Sequence, residues 1–177
     1  MQIENEVKYK ISGFSSIKNK LLAIGFKFSK KLSQEDYYFS PPHKNFAGTK
    51  KYYLRVRHDN KGESFEYHVV KSNIQTNETG VAIKDYKTMI KILKLLDFKL
   101  DCVVAKERLV YTRKHIEVSL DKIKNLGSFI EIEFCGKFNK EIKKEFAEIG
   151  DFLQIKESDK VVGVGYPDLL MQQNKKK

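Results

Sequence analysis

Glu4, Glu6 and Lys8 occupy alternate positions near the start of the chain, with Ile3, Val7 and Tyr9 among the residues that flank them. On an extended strand alternate side chains share a face. One face then carries two carboxylates and an ammonium, and the other is largely apolar. The pattern returns late in the chain, where Glu131 and Glu133 alternate with Ile130, Ile132 and Phe134. Carboxylate oxygens are hard donors suited to Mg²⁺ or Mn²⁺. Glu4, Glu6, Asp121, Glu131 and Glu133 are therefore the candidate metal ligands or water-holders. The intervening strands supply Lys8, Arg55, Arg57, Lys71, Lys106 and Arg108, which suit phosphate: Arg as a bidentate fork, Lys as a point charge. A triphosphate carries about four negative charges, and it needs several such cations together with divalent metal.

Those residues need elements to hold them. Eight segments have strand character: about 2–10, 34–40, 50–58, 64–71, 79–85, 103–112, 114–121 and 129–135. Lys51, Arg55 and Arg57 share one strand face. His115, Glu117, Ser119 and Asp121 share another, and Lys106 and Arg108 a third. Three helices are predicted. The first, about 15–24, starts at Ser15 or Ser16 and stops at Gly25. The second, about 86–96, is capped by Asp85. The third, about 140–149, follows Asn139 and stops at Gly150. A short helix around Asp168–Met171 can follow Pro167, and Pro41–Thr49 is expected to be a loop. Five strands with concentrated mixed-sign charge on one face are poorly explained by solvent-facing ion pairs. Eight strands suffice to close a barrel with a ligand-sized interior. The predicted fold is α+β: an eight-stranded antiparallel β-barrel tunnel with a polar, charged interior and amphipathic helices packed outside.

The chain of 177 residues favours one domain, 1–172, with 173–177 as a disordered basic tail. Its formal net charge of +11 suggests a polyanionic partner. No apolar run is long enough to span a bilayer, and the charged start is unlike a secretory signal. Cys102 and Cys135 have no framework or metal spacing, so they are expected to be reduced thiols in a cytoplasmic protein. His68 and His115 are expected to be structural or exposed, and Tyr37, Tyr38, Phe39 and Tyr111 to be core or rim aromatics.

Taken in order, these motifs resemble the CYTH superfamily, the triphosphate tunnel metalloenzymes, over nearly the whole chain. Glu4-x-Glu6-x-Lys8 is similar to the family hallmark, and Gln34-Glu35-Asp36-Tyr37-Tyr38-Phe39 to its second-strand motif. Leu54-Arg55-Val56-Arg57 is similar to the paired-arginine strand, and Lys71 to the lysine that ends the next one. Val104-Ala105-Lys106-Glu107-Arg108 with Tyr111 is similar to the Lys-x-Arg-x-x-Tyr strand. Leu120-Asp121 and Leu126-Gly127-Ser128-Phe129-Ile130-Glu131-Ile132-Glu133 match the Asp and Gly-x-Phe-x-Glu-x-Glu block.

The resemblance implies a triphosphate bound in the tunnel with one or two Mg²⁺ or Mn²⁺, and Glu4, Glu6, Lys8, Arg57 and Lys106 as catalytic residues. The ending Gly165-Tyr166-Pro167-Asp168-Leu169-Leu170 looks most like the class IV adenylyl cyclase branch, which makes cyclic AMP and pyrophosphate from ATP. The alternatives are a triphosphatase acting on thiamine triphosphate, inorganic triphosphate or a nucleoside triphosphate, and a non-catalytic polyphosphate or nucleotide binder. The expected partner is ATP or thiamine triphosphate, with no membrane association and no stable nucleic-acid complex. A homodimer is the expectation for the cyclase branch. The chain departs from the family at Thr76-Asn77-Glu78-Thr79-Gly80. There the family often has Arg-x-Glu-x-Glu, so Thr76 replaces the arginine and Gly80 the second glutamate.

Overall fold

The computed structural model describes residues 2–42, 52–137 and 139–174. Lys51 and most of the expected Pro41–Thr49 loop lie outside them. Eight strands alternate along the chain with short connections: β1 (Gln2–Ile11), β2 (Lys27–Ser40), β3 (Tyr52–Asp59), β4 (Gly62–Val70), β5 (Gln75–Ile83), β6 (Lys99–Arg113), β7 (Ile116–Ile123) and β8 (Gly127–Cys135). Their spatial order is β5-β4-β3-β2-β6-β7-β8-β1, and pairing of β5 with β1 closes them into an antiparallel barrel. The closing seam is short. β1 meets β8 from Glu4 to Ile11 but meets β5 only over Gln2–Asn5. At Lys8 and Tyr9 a two-residue strand, β9 (Lys160–Val161), takes over that edge.

The period-2 pattern directs the packing. Outward-facing Tyr9, Val118, Leu120, Ile130 and Ile132 join Ile17 and Leu21 of α1 (Ser15–Ala23) and Ile142, Phe146, Ile149 and Leu153 of α3 (Lys140–Leu153) in one core. Each such fully buried side chain contributes about 1.5–3 kcal/mol. On the other flank Leu93 of α2 (Tyr86–Leu95) covers Phe39 and Val56. The fourth helix, α4 (Tyr166–Asn174), behaves differently. Its Tyr166 and Leu170 pack on Tyr38, Val104, Ile123 and Phe129, which alternation places on the inner face of their strands. This helix therefore stoppers one end of the barrel.

Sequence and structure differ mainly at element ends. β2 begins at Lys27 rather than 34, because residues 27–33 pair with the far half of β6 and need no inward polarity to do so. β5 starts at Gln75 rather than 79, since Gln75–Glu78 supply the closure onto β1. Asp85 is not strand but the N-cap of α2, accepting the Thr88 N–H at 3.0 Å. Asn139 caps α3 through the Ile142 N–H at 2.9 Å. α3 runs through Gly150 to Leu153 and ends at left-handed Gln154, because Leu153 continues the buried stripe one turn further. α1 does stop at Gly25, whose φ of 83° carries the chain back under the helix to Phe26. No helix of the described residues is long and apolar enough to cross a membrane.

Candidate active site

The inner faces of the strands enclose a cavity of about 450 Å³. Every residue predicted from the sequence for the site lines it except Asp121. Asp121 lies just behind, fully buried, where it accepts from Arg108 at 2.7 and 2.5 Å and from the Tyr166 hydroxyl at 3.0 Å. Lys71, just past the end of β4, is exposed at the cavity mouth. Glu117 is half-buried on β7, opposite Glu133 in register.

The cations are held in place by acids on neighbouring strands. Lys8 is 6% exposed and bridges Glu131 at 2.9 Å and Glu6 at 3.2 Å. Burial works against its charge, but these two carboxylates more than offset that and raise its pKa. Arg57 Nε and Nη2 donate to the two Asp36 oxygens at 2.6 and 2.9 Å, the planar fork that fixes a guanidinium. Arg55 donates from Nε to Glu66 and approaches Glu78 at 3.4 Å through Nη2. Arg108 bridges Asp121 and Glu131. Lys106 lies 3.4 Å from Asp36, and its pKa is pulled down to about 8 by burial and then by Arg108. Tyr166 closes this end: Lys8 Nζ sits 4.2 Å and Lys106 Nζ 5.5 Å from its ring centroid, within cation–π range.

The acids fall into two groups. Burial would raise the pKa of Asp36, Glu66 and Glu131, but Arg57, Arg55 and Lys8 respectively hold them well below the usual carboxylate range. Glu4 and Glu133 instead face each other. Burial, then Glu133 and Glu78, push Glu4 up to about 8, and Arg55 offsets only part of this. Burial, then Glu6 and Glu117, push Glu133 up to about 7 against the 3.2 Å hydrogen bond it accepts from the Cys135 thiol. Two desolvated carboxylates with no cation between them fit a hard divalent ion. Carboxylate oxygens of Glu4 and Glu133 and the Cys135 sulfur lie within 4.8 Å of one another.

Several residues of the site carried no role in the sequence reading. Asp36, Glu66, His68, Tyr38, Tyr53 and Tyr166 belong to it. The first five obey the same alternation as the residues that were found: Asp36 and Tyr38 share a face of β2, Glu66 and His68 a face of β4, and Tyr53 shares one with Arg55. The period-2 rule, extended to β2 and β4 and to the start of β3, locates all five. His68, expected to be structural or exposed, is buried at 1% exposure in the cavity wall, and its ring stacks on Tyr53 at 4.7 Å. His115 is half-exposed at 49%, against Glu145. Tyr166 reaches the cavity from a helix, and no strand pattern announces it.

Residues 2–163 match the CYTH domain family. A Methanocaldococcus jannaschii protein named "Putative adenylate cyclase MJ0240" is 36% identical over 135 residues, covering 74% of this chain and 76% of that protein. Among solved structures, the PH1012 protein of Pyrococcus horikoshii superposes with a TM-score of 0.81 at 30% identity, covering 94% of this chain and 98% of that one. A "putative adenylate cyclase" from Vibrio parahaemolyticus superposes with a TM-score of 0.78 at 15% identity, covering 96% and 98%, a likeness of fold.

Proposed function

The chain belongs to the CYTH domain family, and from that footing we propose that it is a divalent-metal-dependent enzyme acting on a triphosphate held inside the barrel. The observation that carries this reading is the pairing within one cavity of a row of buried and half-buried cations, Lys8, Arg55, Arg57, Lys106 and Arg108, with the carboxylate pair Glu4 and Glu133. Arg57, fixed by Asp36, and Lys8, fixed by Glu131, meet phosphate oxygens without first being reorganised, the condition for electrostatic catalysis. Glu4 and Glu133, with Glu6 beside them, would hold Mg²⁺ or Mn²⁺, while Glu131 and Asp121, paired with Lys8 and Arg108, would keep those cations in place. When bound, the ion neutralises phosphoryl charge. Among the cations of the cavity, Lys106, its pKa pulled down to about 8 by burial and then by Arg108, is the one suited to giving or taking a proton near neutral pH. α4 keeps bulk water from one end.

The first reaction is the class IV adenylyl cyclase one, ATP to cyclic AMP and pyrophosphate. The 36% identical relative bears an adenylate cyclase name, and the aromatic wall of Tyr38, Tyr53 and His68 suits a substrate with a ring. Hydrolysis of a terminal phosphoryl group is the second reading, favoured by cations at both the Arg55 and the Tyr166 ends of the cavity. One assay separates them: purified protein with Mn²⁺ or Mg²⁺ and ATP, thiamine triphosphate or inorganic triphosphate, products resolved by chromatography. Cyclic AMP with pyrophosphate is the expected outcome. Free phosphate with a diphosphate product selects the hydrolase. No turnover, with tight binding, selects a non-catalytic binder, and neither binding nor turnover rejects the reading.

A further inference from the structure

Gly80 has no backbone reason to be glycine. It sits in mid-β5, opposite Glu66 of β4, outside the left-handed region where glycine is favoured. A Cβ at this position would come 2.9 Å from Glu66 Cγ, whereas the Phe65 carbonyl oxygen, at 3.5 Å, would make an ordinary contact. The side chain that excludes a larger residue at position 80 is therefore Glu66 itself.

Glu66 is in turn the hub of a buried group. It is 6% exposed. Its carboxylate accepts from Arg55 Nε and from Ser64 Oγ at 2.5 Å, and lies 3.2 Å from His68 Nε2. Arg55 Nη2 and His68 Nε2 converge on the same Glu78 oxygen at 3.4 and 3.5 Å. Arg55, His68 and Glu78 line the cavity and Glu66 stands behind them. The stacking of His68 on Tyr53 ties the aromatic wall to the same anchor.

We propose that Glu66, in the space Gly80 leaves for it, is the positioning residue that holds Arg55 in the pose that grips the substrate's phosphate, an inference that rests on the triphosphate reading above. A long guanidinium side chain left without a partner samples many rotamers, and ordering it on binding costs affinity. Anchored along its Nε edge by Glu66 and from Nη2 by Glu78, Arg55 is ordered before the substrate arrives. The carboxylate absent from position 80 of β5 is thus supplied by the adjacent strand.

Calorimetric titration of the full chain with inorganic triphosphate and with ATP, in the presence of Mg²⁺, tests this, with thermal midpoints taken on the same samples. Glu66→Ala is expected to weaken binding about 10–100-fold, the usual cost of removing a supporting partner. Glu66→Gln, which keeps the shape and removes the charge, is expected to lose less, and it decides the matter should Glu66→Ala not fold. Gly80→Glu alone is expected to lower the thermal midpoint through collision with Glu66. Glu66→Ala combined with Gly80→Glu is expected to recover binding, which a merely structural role for Glu66 does not explain. Parent-like binding by Glu66→Ala and Glu66→Gln overturns the proposal, as does a double variant that melts like the parent yet binds no better than Glu66→Ala. A parent chain that binds neither ligand overturns the triphosphate reading first, and this inference with it.

Discussion

Asp36 accepts both arms of the Arg57 fork and neighbours Lys106 while itself fully buried. Asp36→Ala removes the partner of half-buried Arg57 and of buried Lys106, and the expected loss is about 3–5 kcal/mol in denaturant unfolding. Glu4 and Glu133 titrate in the opposite sense. Their pKa values rise on folding to about 8 and about 7, so the folded chain keeps protons that the unfolded chain has lost. Their contribution is complete below the usual carboxylate range and disappears as pH rises through 7 and 8. The thermal midpoint of metal-free protein should fall across that window, and added Mn²⁺ should flatten the fall. An unchanged midpoint with and without metal would count against this carboxylate pair as the ion site. Lys106, lowered to about 8, should lose its charge just above neutrality. Triphosphate affinity is expected to decline as pH passes that value, and Lys106→Arg, charged throughout, to remove the step.

At the scale of elements, α3 depends on its cap, and Asn139→Ala should cost about 1 kcal/mol of unfolding free energy by the same measurement. The strands that carry the chemistry were legible because burial on one face and charge on the other impose strict alternation: Glu4/Glu6/Lys8, Arg55/Arg57 and Glu131/Glu133 could be read directly. What the sequence withheld was register. Nothing in Glu66 or Gly80 alone shows that they stand opposite each other, because strand pairing depends on distant partners. The first half of β2 stayed hidden for a related reason: Lys27–Lys31 is exposed and lacks alternation. Nor does local sequence reveal that Tyr166 turns into the barrel when the helices with larger amphipathic faces, α2 and α3, lie outside it.

The whole molecule closes at its weakest seam. β1 shares four register pairs with β5 but eight with β8, so local opening is expected between β1 and β5. Amide hydrogen exchange should be faster in Gln75–Glu78 than in the middle of β7 and β8, and slower once triphosphate and metal bind across the seam. Equal protection of both regions would show that the barrel opens only as a unit. β1 also precedes all three of its neighbours, β5, β8 and β9, in the chain. During synthesis β5 can cover only Gln2–Asn5, so the rest of β1 waits unpaired until β8, almost the last strand, has emerged. A waiting strand with two apolar faces would recruit the wrong neighbour, whereas one studded with Glu4, Glu6, Lys8 and Lys10 resists stray pairing. The charges proposed to hold substrate and metal would then serve earlier as well, guarding the nascent chain from aggregation.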